Sequence, residues 1–555
     1  MSTPTVDTLK GVAAARTYHA ETSYLAVTDG VFIRADRPHC VNDFKSMDPQ
    51  NRPDPFKRYL GAGIVALPRD FSDTGRPALD VLAGRPADAQ APLDLGALAR
   101  LLFFTAGVTR VTTMQGRKSY FRVAPAGGNL HSVEVYAVIG GVSGLAAGVY
   151  HFEPKEFQLE ILRTGDWRGE VAATAADQAA STAYLILTSL PFRIGWKYGE
   201  RGYRQVYWDA GTVLSGCLAE VEAAGWRATV LAGFDDRRLM HLLGLDGVQE
   251  FPVAVIRLEA GETSKPAAAV ASPAALEFST SPLAPDVLEF PLVTATQRAG
   301  DLDGREAVLE WRRAAAGYGR PAGALRVTAT ASGPDHTIET LILQRGSTRI
   351  FKMGEAPHRF LAWAMAAAGR PVDSDFTSRG QTLLEHDLAV HQVAGIEPGF
   401  YRWRSGALER VASMDMVAVR KHSYLYCCSQ PLGGDSAYTV YHCTDLDAVL
   451  NALGPRGYRA AHLEAGIAAG RLNLAAFALG LGASALTFVD VKVRGRFGGD
   501  CILVTAMGIP DYVNAKGGRP GQETELKLFE PLRNRMMARF KDNEHEPAKP
   551  ASKDA

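Results

Sequence analysis

Two stretches decide how this chain is read: RGYRQVYWDAG at residues 201–211 and RGYRAAHLEAG at residues 456–466. They stand 255 residues apart (456 minus 201), open on the same four residues and close on an acidic residue followed by Ala-Gly. The same offset carries Gly225 onto Gly480 and Asp235 onto Asp490, so register holds without a gap across the whole block. Upstream, GLAAGVYHF at residues 144–152 answers GIEPGFYRW at residues 395–403, at an offset of 251. Self-similarity of this kind marks a duplicated unit, and the second copy has diverged.

The length of 555 residues agrees with two units, because single hydrophobic cores stop growing at about 250–300 residues. The expected division is an N-terminal extension (1–60), a first domain (61–260), a linker (261–290), a second domain (291–515) and a C-terminal tail (516–555). The linker is rich in Ala, Pro and Ser and has no sustained helical or strand period. After each RGYR element the residues read as a long helix, VLSGCLAEVEAAG in one copy and AGRLNLAAFALG in the other. HSVEVYAVIGG, TAYLILTSL, EFPVAVIRLE and CILVTAMGIP read as strands, so the predicted fold class is α+β with a mostly buried sheet. In the tail, TELKLFEPLRNRMMARF has near-helical apolar spacing, and KDNEHEPAKPASKDA is expected to be disordered.

Sixty Lys plus Arg balance sixty Asp plus Glu, and no basic block offers a nucleic-acid surface. No signal-like segment or long uncharged apolar run appears, so the expectation is a cytoplasmic protein with no membrane partner. The six cysteines lack C-x-x-C spacing and the thirteen histidines lack any ligand spacing, which predicts buried or free thiols and no metal. Cys427 and Cys428, within YLYCCSQ, are read as buried thiols.

Several blocks carry a resemblance when taken in order. They are TYHAETSY near the start, DPFKRYLG (54–61), RVAPAGGNLHSVEVY (122–136), GLAAGVYHF, WKYGERGYRQVYWDAG (196–211), and AGFDD followed by LLGLDGVQEFPV. Together they resemble the SagB-type dehydrogenases of the nitroreductase superfamily. These are FMN enzymes that oxidise thiazoline and oxazoline rings in peptide natural products. The resemblance implies two fused nitroreductase-like FMN domains forming an intrachain pseudo-dimer, with flavin at their interface and a monomer permitted.

In that superfamily a site draws an Arg-rich segment from one subunit and a Pro-Ser-x-x-Asn loop from the other. Here the first copy has the loop, PAGGN (Pro125, Ala126, Gly127, Gly128, Asn129), with Ala126 in place of the family Ser. Where its Arg-rich segment is expected stands VLAGRPADAQAPLDL, whose sole cation is Arg85. The second copy has QRGSTRIF, with Arg345, Ser347 and Arg349, but RPVDSDFTSRGQTLLEHDLAV where the loop should be. Complementary loss follows: one composite site and one FMN per chain. Guanidinium groups pair bidentately with phosphate, a hydroxyl adds a neutral hydrogen bond, and Gly127 and Gly128 let backbone amides approach a planar ring. By the same resemblance, Lys516 and Arg519 in PDYVNAKGGRPG complete the phosphate clamp.

Lys197 and Tyr198 match the Lys-Tyr pair the family uses in catalysis, whereas the second copy has Leu453 and Gly454 at the corresponding place. A neighbouring ammonium that stabilises the phenolate would make Tyr198 a base for hydride transfer from substrate to flavin N5. Arg201, Tyr203 and Arg204 recur as Arg456, Tyr458 and Arg459, which assigns them to the fold rather than to chemistry. The expected substrate is a small molecule or a modified residue in a ribosomal peptide, handled beside biosynthetic partner proteins. Two alternatives stand: an NAD(P)H-dependent nitro or quinone reductase, and a non-catalytic peptide-binding or scaffold protein whose flavin sites have decayed.

Overall fold

The computed structural model describes residues 10–28, 31–34, 47–114, 117–261, 273–322 and 335–526. Runs of β-branched and aromatic residues form an antiparallel sheet in each half. In the first half the strand order is Arg227–Leu231, Phe251–Glu259, Ala183–Ser189, Val133–Ile139, Gly148–Glu153, Gln158–Thr164 and Gly63–Ala66. In the second half it is Phe351–Lys352, Asp500–Pro510, Tyr438–Thr444, Glu385–Val390, Gly399–Arg404 and Ala407–Ser413, with Gly482–Leu486 also paired to Asp500–Pro510. Val133–Ile139, Ala183–Ser189 and Tyr438–Thr444 are buried along their whole length, which explains why these strands read as continuous apolar runs.

Two central helices, Gly202–Ala223 and Leu446–Ala478, form the seam between the halves. The second contains a break at Gly454 (φ 64°) followed by Pro455. The first half breaks at the matching Gly199 (φ 55°), between Pro191–Tyr198 and the central helix. Each break demands a conformation that glycine adopts without penalty. Where the helices cross, a Cβ on Gly211 would lie 2.4 Å from the Leu463 carbonyl oxygen, and one on Gly466 would lie 2.4 Å from that of Trp208. These contacts are reciprocal, as a two-fold arrangement requires.

The recurring arginines work across the same seam. Arg201 and Arg204 reach Asp490 of the second half at 3.0 and 2.6 Å. Arg456 and Arg459 reach Asp236 of the first at 2.5 and 3.4 Å. Tyr203 and Tyr458 stack with ring centroids 6.4 Å apart, and Tyr18, from helix Gly11–Thr22, meets both edge-on. Part of the N-terminal extension therefore covers the seam.

The described part of the linker is pinned to the N-terminal extension and to the first domain. Leu60 donates to the Ser279 carbonyl, Asp54 to that of Leu283, and the Phe290 ring stacks on Phe192. In the tail, Thr524–Glu525 adds a parallel strand to Val108–Met114, which pairs in turn with Arg117–Arg122. The predicted helical stretch and disordered end of the tail lie almost wholly outside the described residues, as does Cys40. Cys217, Cys427, Cys428, Cys443 and Cys501 are free and buried. No helix among the described residues is long and apolar enough to cross a membrane.

Candidate functional site

The PAGGN segment turns tightly, with Gly128 at φ 60° and Asn129 at φ 59°. Its backbone is fixed from the central helix below. The Gly127 N–H donates to Asp209 Oδ1 at 2.8 Å, and Thr212 Oγ1 donates to the Pro125 carbonyl at 2.7 Å. Asn129 Nδ2 anchors the far side of the turn on the Tyr120 carbonyl at 2.8 Å. Ala126, with no hydroxyl, contributes backbone alone.

Lys197 and Tyr198 come to this turn from the last residues of helix Pro191–Tyr198. A Cβ on Gly128 would lie 3.0 Å from Lys197 Cδ and 3.2 Å from Tyr198 Oη, so the glycine leaves room for both side chains. Lys197 Nζ sits 5.3 Å from the centroid of the Tyr198 ring. This corrects the expected polarity of the pair. Burial and the nearby Asp209 push the Tyr198 phenol up, and the cation that opposes them is Arg349, not Lys197. Burial, Arg349 and Arg52 push the Lys197 ammonium down. Tyr198 therefore stays a neutral phenol that holds its proton firmly, and the Lys197 ammonium gives its proton up more readily than an exposed one.

The second half supplies the rest. Arg345 follows helix Ile338–Gln344 and crosses the seam, where its Nε and Nη2 donate to the Val123 carbonyl at 3.1 and 2.6 Å. Its Nη1 is buried and finds no partner among the described residues. Burial, with Arg110 and Arg349 nearby, brings its guanidinium down to about 9. A buried cation surrounded by cations is stabilised when an anion joins it. Arg110, from the first half, organises this corner by donating to the carbonyls of Leu343 (2.6 Å), Arg345 (3.1 Å) and Ala515 (2.8 Å).

Of the other expected residues, Ser347 is half-buried and Arg349 exposed, and Tyr512 joins them: the Arg349 N–H donates to Tyr512 Oη at 2.9 Å. Lys516 is exposed beside Ala515, so Arg110 brings its backbone next to Arg345. Arg519 is turned elsewhere. It pairs with Asp73 at 2.5 Å and lies over the rings of Phe71 and Phe104, which corrects its expected place in the phosphate clamp.

At the related place in the opposite halves the grip is absent among the described residues. Arg85 pairs with Asp80 at 2.5 Å on the surface. Arg370 occupies the space over Gly84, where an added Cβ would lie 2.5 Å from its guanidinium carbon. It donates to the Val81 and Leu82 carbonyls and pairs with Glu222 at 2.8 Å. The sequence reading missed Asp209, Arg110 and Tyr512. Asp209 carried a signal, because it and Glu464 fill the same slot of the repeated block. Arg110 and Tyr512 belong to no repeated block and carried none.

Residues 85–260 match the nitroreductase family model, so this part of the chain carries a nitroreductase family domain with an α+β fold. A protein of Methanocaldococcus jannaschii assigned as a nitroreductase is 25% identical over 168 residues, covering 30% of this chain and 80% of its own length. The trifolitoxin-processing protein TfxB of Rhizobium leguminosarum bv. trifolii is 31% identical over 137 residues, or 22% of this chain. The match spans 35% of that protein's length. A crystal structure from Anabaena variabilis, also assigned as a nitroreductase, superposes with a TM-score of 0.67 at 24% identity. It covers 90% of this chain and 99% of its own, a likeness of fold alone.

Proposed function

We propose that the chain is an FMN-dependent oxidoreductase built from two fused nitroreductase-like units, with one composite flavin site per chain. The observation that carries this reading is Arg345. It reaches from the second half to the carbonyl of Val123, two residues before Pro125, and keeps a buried Nη1 unspent. The residues fit the cofactor: Arg345, Arg349, Ser347 and Lys516 would hold its phosphate, and the Gly127-Gly128 turn would seat its ring. When bound, FMN supplies a two-electron acceptor for hydride. Tyr198 keeps a proton at Oη to hydrogen-bond a substrate heteroatom, and Lys197 accepts the proton that leaves the substrate.

The proposed substrate is a heterocycle or modified residue in a peptide natural product, a reading supported by the likeness to a protein that processes trifolitoxin. Purified chain should carry one FMN. Arg345→Ala should release it while Arg85→Ala should not; two flavins per chain, or retention by Arg345→Ala, would defeat the composite site. The likeness to a protein assigned as a nitroreductase favours a second reading, reduction of nitro compounds or quinones by NAD(P)H. Rapid oxidation of NADH or NADPH by the flavin-loaded chain with a nitroarene, and none of an azoline peptide, would select it.

A further inference from the structure

The second half contains a cavity of about 250 Å³ between helix His358–Ala368, the strands Glu385–Val390 and Gly399–Arg404, and the central helix. Its apolar wall includes Met365, Val372, Ile467 and Trp403. Its charged lining is cationic on balance. Arg320 pairs with Glu385, Arg404 stands 4.0 Å from the same carboxylate, and Arg370 is engaged by Glu222. His386 is held down to about 4 by burial and is neutral. Arg471 is different. It is 7% exposed, donates from Nη1 to the Arg370 carbonyl at 2.6 Å, and makes no ion pair among the described residues. The carboxyls that act on it are Glu222, which Arg370 engages, and Glu464, which accepts the Leu383 N–H at 2.8 Å and is pushed up to about 7 by burial.

The matching residue of the first half is packed differently. Residue 471 minus 255 is Gly216, whose Cβ, if present, would lie 2.7 Å from the Phe104 carbonyl oxygen. There the helices close directly on each other. In the second half an arginine occupies the slot, at the edge of an apolar hollow. A buried guanidinium without a counter-charge is costly, and an anion that brings its own apolar surface offsets that cost.

We propose that this cavity is a binding site for a small organic carboxylate with an apolar body, its carboxylate on Arg471 and its body against Met365, Val372, Ile467 and Trp403. The site is independent of the flavin reading. Its test is calorimetric titration of the full chain with benzoate and 3-phenylpropionate, beside their uncharged amides, with fluorescence of Trp403 (Trp403→Phe as blank) as a second signal. The expected result is one carboxylate bound per chain, the amides weaker by about tenfold or more, and loss of binding in Arg471→Met. Glu464→Gln, which removes the like charge at pH 8, should tighten binding several-fold. The proposal is overturned if wild type ignores both acids at millimolar concentration, if amide and acid bind alike, or if folded Arg471→Met binds as wild type does. Should Arg471→Met fail to fold, unchanged affinity in Glu464→Gln overturns it.

Discussion

The seam between the halves and the two places where a site could form have diverged to different extents. At the seam almost every contact has its mirror: Gly211 on Leu463 and Gly466 on Trp208, the arginine pairs on Asp490 and Asp236, the breaks at Gly199 and Gly454. Away from it, Tyr198 faces a slot that is Leu453 in the other half, and Gly216 a slot that is Arg471. A two-fold interface uses each surface against its own copy, so a change on one side must be accommodated by its counterpart. A site needs its parts only once. In the opposite halves the related place holds Arg370 over Gly84, and the same Arg370 lines the hollow beside Arg471.

The sharpest way to break the comparison is at the helix crossing. Gly211→Val and Gly466→Val place side-chain atoms against backbone oxygen, which no rotamer relieves. Each should cost more than the roughly 1–3 kcal/mol of ordinary overpacking. Chemical denaturation should find the two equally damaging, and a large difference between them would end the claim of a symmetric seam. Next come the aspartates. Asp490→Ala strands the buried Arg201 and Arg204 and should cost about 3–5 kcal/mol, whereas Asp236→Ala strands Arg456 and leaves Arg459 paired with Asp301 at 2.9 Å. Each aspartate also accepts a backbone N–H at 2.8 Å, Asp490 from Tyr24 and Asp236 from Leu302, so the Arg459–Asp301 pair that survives should make the loss of Asp236 the smaller.

Much of the seam was legible in the sequence because reciprocity leaves a repeat: RGYR and the closing glycine recur at a fixed offset, whereas the aspartate that Arg456 and Arg459 meet is Asp236, one residue beyond the Asp235 that this offset sets against Asp490. The composite arrangement was partly legible, since PAGGN and RGSTR each occur in one copy alone. What escaped was whatever depends on direction. Lys197 and Tyr198 are neighbours in sequence, yet the cation set against the burial of the Tyr198 phenol is Arg349 from the second half, so adjacency predicted the wrong polarity for the pair. Arg519 sits in a basic stretch, but Asp73 and two phenylalanine rings claim it from a distant part of the chain.

A third prediction compares the acids that the two halves hold in the same slot. Asp209 accepts the Gly127 N–H and Glu464 that of Leu383, and burial pushes both up to about 7 from 3.8 and 4.5. An acid with a raised folded value binds its proton more tightly in the folded state. Its stabilising contribution is therefore complete below the unfolded value and is lost as pH rises towards 7. Apo protein should lose on the order of 2–4 kcal/mol between pH 4 and 7 from each group. Asp209→Asn and Glu464→Gln should each flatten the slope in that window, and an unchanged slope in either would remove that residue from the comparison.

The smallest effect on stability separates the two turns most cleanly. Gly128 (φ 60°) and Gly380 (φ 76°) occupy corresponding stretches of the two halves, and an L-residue at either is strained by about 1 kcal/mol. Gly380 has nothing within 4 Å of an added Cβ, whereas Gly128 has Lys197 Cδ at 3.0 Å and Tyr198 Oη at 3.2 Å. Gly128→Ala and Gly380→Ala should therefore lower the denaturation midpoint by similar amounts. Only Gly128→Ala should displace the two side chains and reduce turnover, by about tenfold or more if proton transfer depends on their placement. Equal turnover in the two variants would mean that the Gly-rich turn positions nothing the reaction uses.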